Sequence, residues 1–274
     1  MSLRAGVFLS LLSALFVAIG SLFGIVGAAW ALALSVVISF WSYWSAGAEL
    51  ISCFGAIEVE DRRQLSMLEE ISTRAGIKPP RLFVVDDRQP NALSVGPNPE
   101  LATIIVTSAL LRELPCDELA AVLAHEVAHI HNKDVFPATL AVTLVAAIMT
   151  LAVPLGLLGI ILRRHGGAGM IVLAILAPFI GLLLRCAMAR SSEYRADGDA
   201  ADLCGSPAPI IDALRRTARL SKRRSGIARQ DVWLAPMFFI NPLPNDWIGA
   251  ILSCHPSVEK RIARLLAREH SFRR

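Results

Sequence analysis

Charge is scarce in this chain. Asp, Glu, Lys and Arg make up only 18% of its 274 residues, against about 25% in soluble globular proteins. Neither sign dominates: 27 basic residues face 23 acidic ones, a net charge of +4, so a broad nucleic-acid surface is not indicated and no nucleic-acid partner is expected. The five cysteines, Cys53, Cys116, Cys186, Cys204 and Cys254, contain no C-x-x-C pair. That leaves out zinc ribbons and dithiol redox motifs and favours idle reduced thiols. Internal repeats and low-complexity segments are also missing. Hydrophobic residues, at 54%, exclude intrinsic disorder.

The scarcity of charge is concentrated. Residues 5 to 48 carry none, and neither do 136 to 162 or 166 to 184. A helix needs about 20 apolar residues to cross a bilayer, so four spans are expected. Two lie in residues 1–48. The other two form a hairpin over 135–184, turning at Arg163-Arg164-His165. On that layout 25 of the 27 Lys and Arg residues share one side, which the positive-inside rule assigns to the cytoplasm. Residues 49–134 and 185–274 become two cytoplasmic catalytic parts. The cluster Arg215, Arg216, Arg219, Lys222, Arg223 and Arg224 is read as a face for anionic lipid, with a merely solvated face as the alternative.

In the first of these parts a helix is expected from Ile57 to Ala75, ended by Gly76, Pro79 and Pro80. Short strands follow at Arg81–Val85, Ala92–Val95 and Leu101–Thr107. A further helix begins near Asp117. The second part is helical around Pro209–Leu220 and Val258–Arg268, with a Pro-rich irregular stretch between.

That helix near Asp117 carries His125-Glu126-Val127-Ala128-His129. Four residues turn a helix by about 400°, so both imidazoles emerge on one face, one turn apart. They can reach one Zn²⁺, and the intervening Glu126 can take a proton from the attacking water. His131 points elsewhere and is read as idle. A catalytic zinc needs a third protein ligand. The stretch after the hairpin, Arg190-Ser191-Ser192-Glu193-Tyr194-Arg195-Ala196-Asp197, offers Glu193 for that place. Asp197, one turn on, can hold a ligand histidine by its free N–H. Ion pairs of these acids with Arg190 or Arg195 remain the alternative.

Three pieces together, H-E-V-A-H-I-H-N-K-D, R-S-S-E-Y-R-A-D and H-P-S-V-E-K-R-I-A-R-L, resemble the HtpX-type membrane zinc metalloproteases, bacterial relatives of the CAAX prenyl endopeptidases. The resemblance implies an α+β, gluzincin-like, mainly helical catalytic domain with a small sheet, seated on a four-helix transmembrane bundle. It implies an inner-membrane endopeptidase facing the cytoplasm, with the lipid bilayer as a partner. Its expected substrates are misfolded or damaged membrane proteins, degraded as quality control under stress. One Zn²⁺ per chain is expected on His125, His129 and Glu193, with Glu126 as base. By the same resemblance His255 donates to the tetrahedral oxyanion, or else caps a helix together with Pro256. Arg261 orients Asp197 or an acid nearby. Asn91 and Ala92 open the edge strand that takes substrate by β-addition, although Leu93 and Val95 stand where Phe and Thr are expected, and Lys133 where Arg is common. The alternative functions are a proteolytically silent zinc-binding scaffold or adaptor, a CAAX-type processing protease and, from the four spans, a small transporter or channel.

Overall fold

In the computed structural model of the chain, the described residues are 24–135, 139, 191–221, 238–240 and 255–272, with a few isolated positions before residue 24. Among the described residues the elements run α1 (Gly24–Cys53), β1 (Ile57–Glu58), α2 (Arg62–Arg74), β2 (Arg81–Val85), β3 (Ala92–Val95) and β4 (Thr103–Thr107). Two helices follow, α3 (Ser108–Glu113) and α4 (Cys116–His131). The later described helices are α5 (191–204), α6 (Ala208–Ser221) and α7 (Val258–Phe272).

The membrane half of the expectation is corrected. Among the described residues no helix is long and apolar enough to cross a membrane. The four-helix transmembrane bundle, the bilayer as partner, the inner-membrane location facing the cytoplasm and the membrane-protein quality-control setting lose their support with it. Apart from Val135 and Thr139, the 135–184 hairpin lies outside the described residues, as does most of 5–23. The physical reason is that an uncharged run is a weaker condition than an unbroken apolar one. The run to residue 48 holds Gly20, Ser21 and Gly24 ahead of or at the start of α1, and α1 itself carries Gly27, Ser35, Ser39, Ser42 and Ser45. Ser35 turns its hydroxyl onto the Leu32 carbonyl at 2.8 Å.

The sheet is open, in the order β1-β2-β4-β3. β2 and β4 run parallel, Arg81 opposite Thr103, while β1 and β3 are antiparallel to their neighbours. Alternation along the strands divides the core. Leu82, Ala92, Ile104 and Val106 join the main cluster with α4 and α6, whereas Phe83, Val85, Leu93, Val95 and Ile105 pack with Phe238 on the other face. Ile51 and Phe54, from the end of α1 and the turn after it, lie against that second face.

The expected helix at Ile57 begins later. Ile57 and Glu58 pair with Val84 and Phe83 as β1, and Asp61 starts α2 by accepting from the Arg63 N–H at 2.9 Å. A side-chain oxygen at that position satisfies a helix donor that no carbonyl can reach. The strand expected from Leu101 starts at Thr103, because Pro99–Leu101 forms a 3₁₀ turn capped by Asn98. That turn presses on the end of β3. A Cβ on Gly96, at φ +145°, would stand 2.8 Å from the Ala102 Cα, so only glycine fits.

Helix α4 is the spine. It packs against α2, α6 and β3, and its residues from Ala121 to Ala128 are buried. Asp117 and Glu118 occupy its first turn, where the helix dipole favours negative charge. Glu118 also takes a two-pronged bond from Arg216 of α6, at 2.6 and 2.7 Å. The helix carrying the H-E-x-x-H motif is thereby fixed at its start by charge and along its length by apolar packing.

Candidate metal centre

His125 and His129 share one face of α4, as the spacing requires, and their Nε2 atoms stand 3.1 Å apart. Helix α5 brings Glu193 to the same point. Its Oε2 lies 3.6 Å from His125 Nε2 and its Oε1 3.4 Å from His129 Nε2. Among the described residues these three form the one group of at least three His, Cys, Asp or Glu side chains whose ligand atoms converge for a metal. Donors about 2.0–2.1 Å from a tetrahedral zinc stand about 3.3–3.4 Å apart, close to the observed separations. A further observation fits a cation. Glu193 Oε2 is buried and accepts no hydrogen bond, although His255 Nδ1 lies 3.2 Å away and Arg261 Nη1 3.4 Å away. A buried carboxylate oxygen without a donor is costly unless something charged completes it.

Each histidine is backed by a carboxylate on its far nitrogen. His125 Nδ1 lies 3.1 Å from Asp197 Oδ1, and Arg261 grips Asp197 through Nε and Nη2 at 2.7 and 2.6 Å. His129 Nδ1 faces Asp134 Oδ2 at 3.7 Å, and Arg195 grips Asp134 at 2.8 and 2.6 Å. The structure therefore brings together His125, His129, Glu193, Asp197, His255 and Arg261. Glu126, from the same turn of α4, is buried beside them. Asp134 and Arg195 were not singled out as site residues by the sequence, although both stand inside quoted motifs.

The electrostatics follow from burial opposed by neighbours. Burial works against charge on Glu193, yet His255, His125 and His129 around it hold its carboxyl well below the usual carboxylate range. Burial likewise opposes charge on Asp197, and Arg261 outweighs it, so that carboxyl is lowered too. For His129, burial disfavours the imidazolium. Asp134 and Glu193, with Glu126 further off, overcome that and raise its pKa to about 10. A metal bound at this imidazole must replace that proton.

Asn91 and Ala92 lie beside the spine, but their outward polar groups meet the chain's own residues 238–240. The Phe239 N–H donates to the Ala92 carbonyl at 2.8 Å. The Asn91 carboxamide spans Ile240, donating to its carbonyl at 2.8 Å and accepting from its N–H at 3.1 Å. Phe239 itself is buried, its ring edge-on to that of His125 at 5.0 Å. It was also missed in sequence, inside a stretch read as irregular.

The chain can now be set beside known proteins. The model of "Peptidase family M48" matches residues 58–269. A "Protease HtpX homolog" of Desulfatibacillum aliphaticivorans is 33% identical over 276 residues, covering 96% of this chain and 88% of that protein. Another, from Acidiphilium cryptum strain JF-5, is 36% identical over 275 residues, covering 96% of this chain and 95% of its own length. Among solved structures, the crystal structure of S. mikatae Ste24p aligns with a TM-score of 0.55 at 19% identity and covers 92% of this chain. This chain spans 60% of that one, and at such identity the likeness speaks for the fold alone. The resemblance drawn from the motifs keeps its metallopeptidase domain and gives up its membrane-embedded description. Every residue just placed around the two histidines falls within the matched range, and this chain accordingly belongs to peptidase family M48 as a zinc metalloendopeptidase.

Proposed function

We propose that the chain hydrolyses internal peptide bonds of polypeptide segments presented in extended form, using one zinc ion held by His125, His129 and Glu193. The observation that carries this reading is the convergence of two imidazole Nε2 atoms and a buried carboxylate oxygen lacking a hydrogen bond. Zinc in such a setting acidifies water and polarises the carbonyl it touches. The chain's own residues do the rest. Glu126, between the two histidines on α4, takes the proton of the attacking water and passes it to the leaving amine. His255, whose Nδ1 faces Glu193, donates to the oxyanion that develops on the carbonyl. Asp197 and Arg261 hold the His125 ring in one orientation, so that its Nε2 lone pair points inward. Substrate adds to the β3 edge beyond Ala92, along Leu93–Val95, where the strand lies against α4.

The test is direct. Wild type and Glu126→Gln are stripped with a chelator, reloaded with zinc and incubated with an unfolded model protein. Zinc-dependent fragments from wild type and none from the variant, both binding one zinc per chain, are expected. Silence from both with zinc bound would overturn hydrolysis of extended segments. Equal cleavage by both would remove Glu126 from its role.

A further inference from the structure

We infer that Asn91 is a positioning residue for the metal ligands, acting through the 238–240 segment, and not a contact for the substrate; this rests on the zinc reading above. Asn91 is buried, and its backbone is already committed to β4: its carbonyl accepts from the Thr107 N–H and its N–H donates to the Thr107 hydroxyl. Its carboxamide is spent on the chain itself, gripping both backbone groups of Ile240 and accepting from the Ala92 N–H at 3.1 Å. Both polar atoms of this side chain are engaged within the chain, and the one remaining amide hydrogen on Nδ2 is buried with the residue.

What the grip fixes is Phe239. Phe238 and Phe239 bury on opposite faces of the sheet, as successive residues of a segment lying along an edge do. The Phe239 N–H caps the Ala92 carbonyl, and its own carbonyl accepts from Arg261 Nη1 at 2.7 Å. Its ring meets His125 edge-on, and the Arg261 guanidinium lies 5.1 Å from the ring centre. That carbonyl has a particular consequence. Arg261 Nη1 also lies 3.4 Å from Glu193 Oε2, the oxygen without a hydrogen bond. With the Phe239 carbonyl in place the guanidinium donates there and leaves Glu193 open to a cation. With the carbonyl displaced, the nearest acceptor for Nη1 is the metal ligand itself. Asn91 thus keeps an arginine from competing with the metal, from the far side of the segment it clips.

The experiment uses the full chain, stripped with a chelator. Zinc affinity is read by competition with a chromophoric chelator, ligand geometry by the visible bands of the cobalt-loaded protein, and folding by thermal melting. Asn91→Ala is expected to weaken zinc binding about tenfold, the lower end of the range for residues that orient ligands, and to shift the cobalt bands. Asn91→Asp keeps the acceptor for Ile240 and Ala92 but loses the donor, and is expected to lie between. Asp61→Ala, which removes the α2 cap far from the site, should melt earlier with zinc affinity and cobalt bands unchanged. If Asn91→Ala also melts earlier with wild-type affinity and bands, Asn91 is a strut and the inference is overturned. Should Asn91→Ala not fold, Asn91→Asp decides by the same two readouts. A wild type that takes up no zinc would overturn the metal reading, and the inference with it.

Discussion

His125 and His129 are the same side chain one helical turn apart, and each turns one nitrogen inward and faces a carboxylate with the other. The two supports nevertheless sit in different media. Arg261 and Asp197, behind His125, are 1% and 2% exposed, whereas Arg195, behind His129, is 41% exposed and Asp134 11%. Both arginines make two short bonds to their carboxylates, Arg261 as a fork through Nε and Nη2 and Arg195 through Nη2 alone, so the number of bonds is shared while the fork and the surroundings differ. In the interior, an ion pair that loses one member leaves an unscreened charge, while at the surface water and salt fill the gap. The pair behind His125 should therefore act as part of the fold, and the pair behind His129 as an adjustable rim.

The most severe way to break this contrast is Arg261→Met. It leaves Asp197 buried without its cation, removes the donor to the Phe239 carbonyl, and is expected to cost about 3–5 kcal/mol. A thermal melt should show a large drop, and zinc content after purification should fall with it. A near-normal melt would mean that the buried relay is not structural. Next in size is Asp197→Asn, which keeps the volume but weakens the orientation of His125. Zinc affinity is expected to fall about 10–100-fold, measured by chelator competition, and the melt should drop as well, because Arg261 stays buried without its carboxylate. An unchanged affinity would show that packing against the Phe239 ring alone orients His125.

How much of this contrast was legible in the sequence differs between the two sides. The H-E-x-x-H spacing by itself places both imidazoles on one face, since helical periodicity is a local property. Strands β2 and β3 were legible at their observed bounds, because short apolar runs between turn residues leave few alternatives. Glu193 and Asp197 are legible only as acids that follow the second uncharged stretch; no membrane-crossing helix among the described residues explains their return, yet both meet the histidines. Asp134 was not legible. It reaches back to His129 only because Lys133 takes a left-handed conformation, φ 59°, which a lysine does not announce. Its signal was an acid five positions past His129, within the motif already quoted. Residues 238–240 lacked any periodic pattern, because a segment lying along a sheet edge and clipped by one side chain needs none.

The rim relay gives smaller and more tunable effects. Asp134→Asn is expected to weaken zinc binding about tenfold at most. It also has a pH signature in the metal-free protein. His129 is held at about 10, above its ordinary 6.5, so the stability that its proton contributes is fully present below about pH 6.5 and is lost as pH rises towards 10. With Asp134 neutralised the imidazole loses part of what raises it. The variant's loss with pH should then be smaller, beginning at the same pH but ending at a lower one, measured as melting temperature between pH 6 and 10. A variant that tracks wild type across that range would assign the raised pKa to Glu193 and Glu126.

The smallest change expected is Arg195→Met. An exposed pair of this kind contributes about 0–1 kcal/mol, so the melt should move by little and zinc affinity should stay close to wild type. The informative variable is salt. At 1 M the screening length is about 3 Å, so whatever Arg195 contributes should shrink and the two proteins should converge, while the defect of Arg261→Met stays unscreened in the interior. If Arg195→Met instead loses zinc as severely as its buried counterpart and salt makes no difference, exposure is not what separates the two relays. The two short bonds that each arginine makes would then be the governing feature, and His129 would depend on its arginine as strictly as His125 does on Arg261.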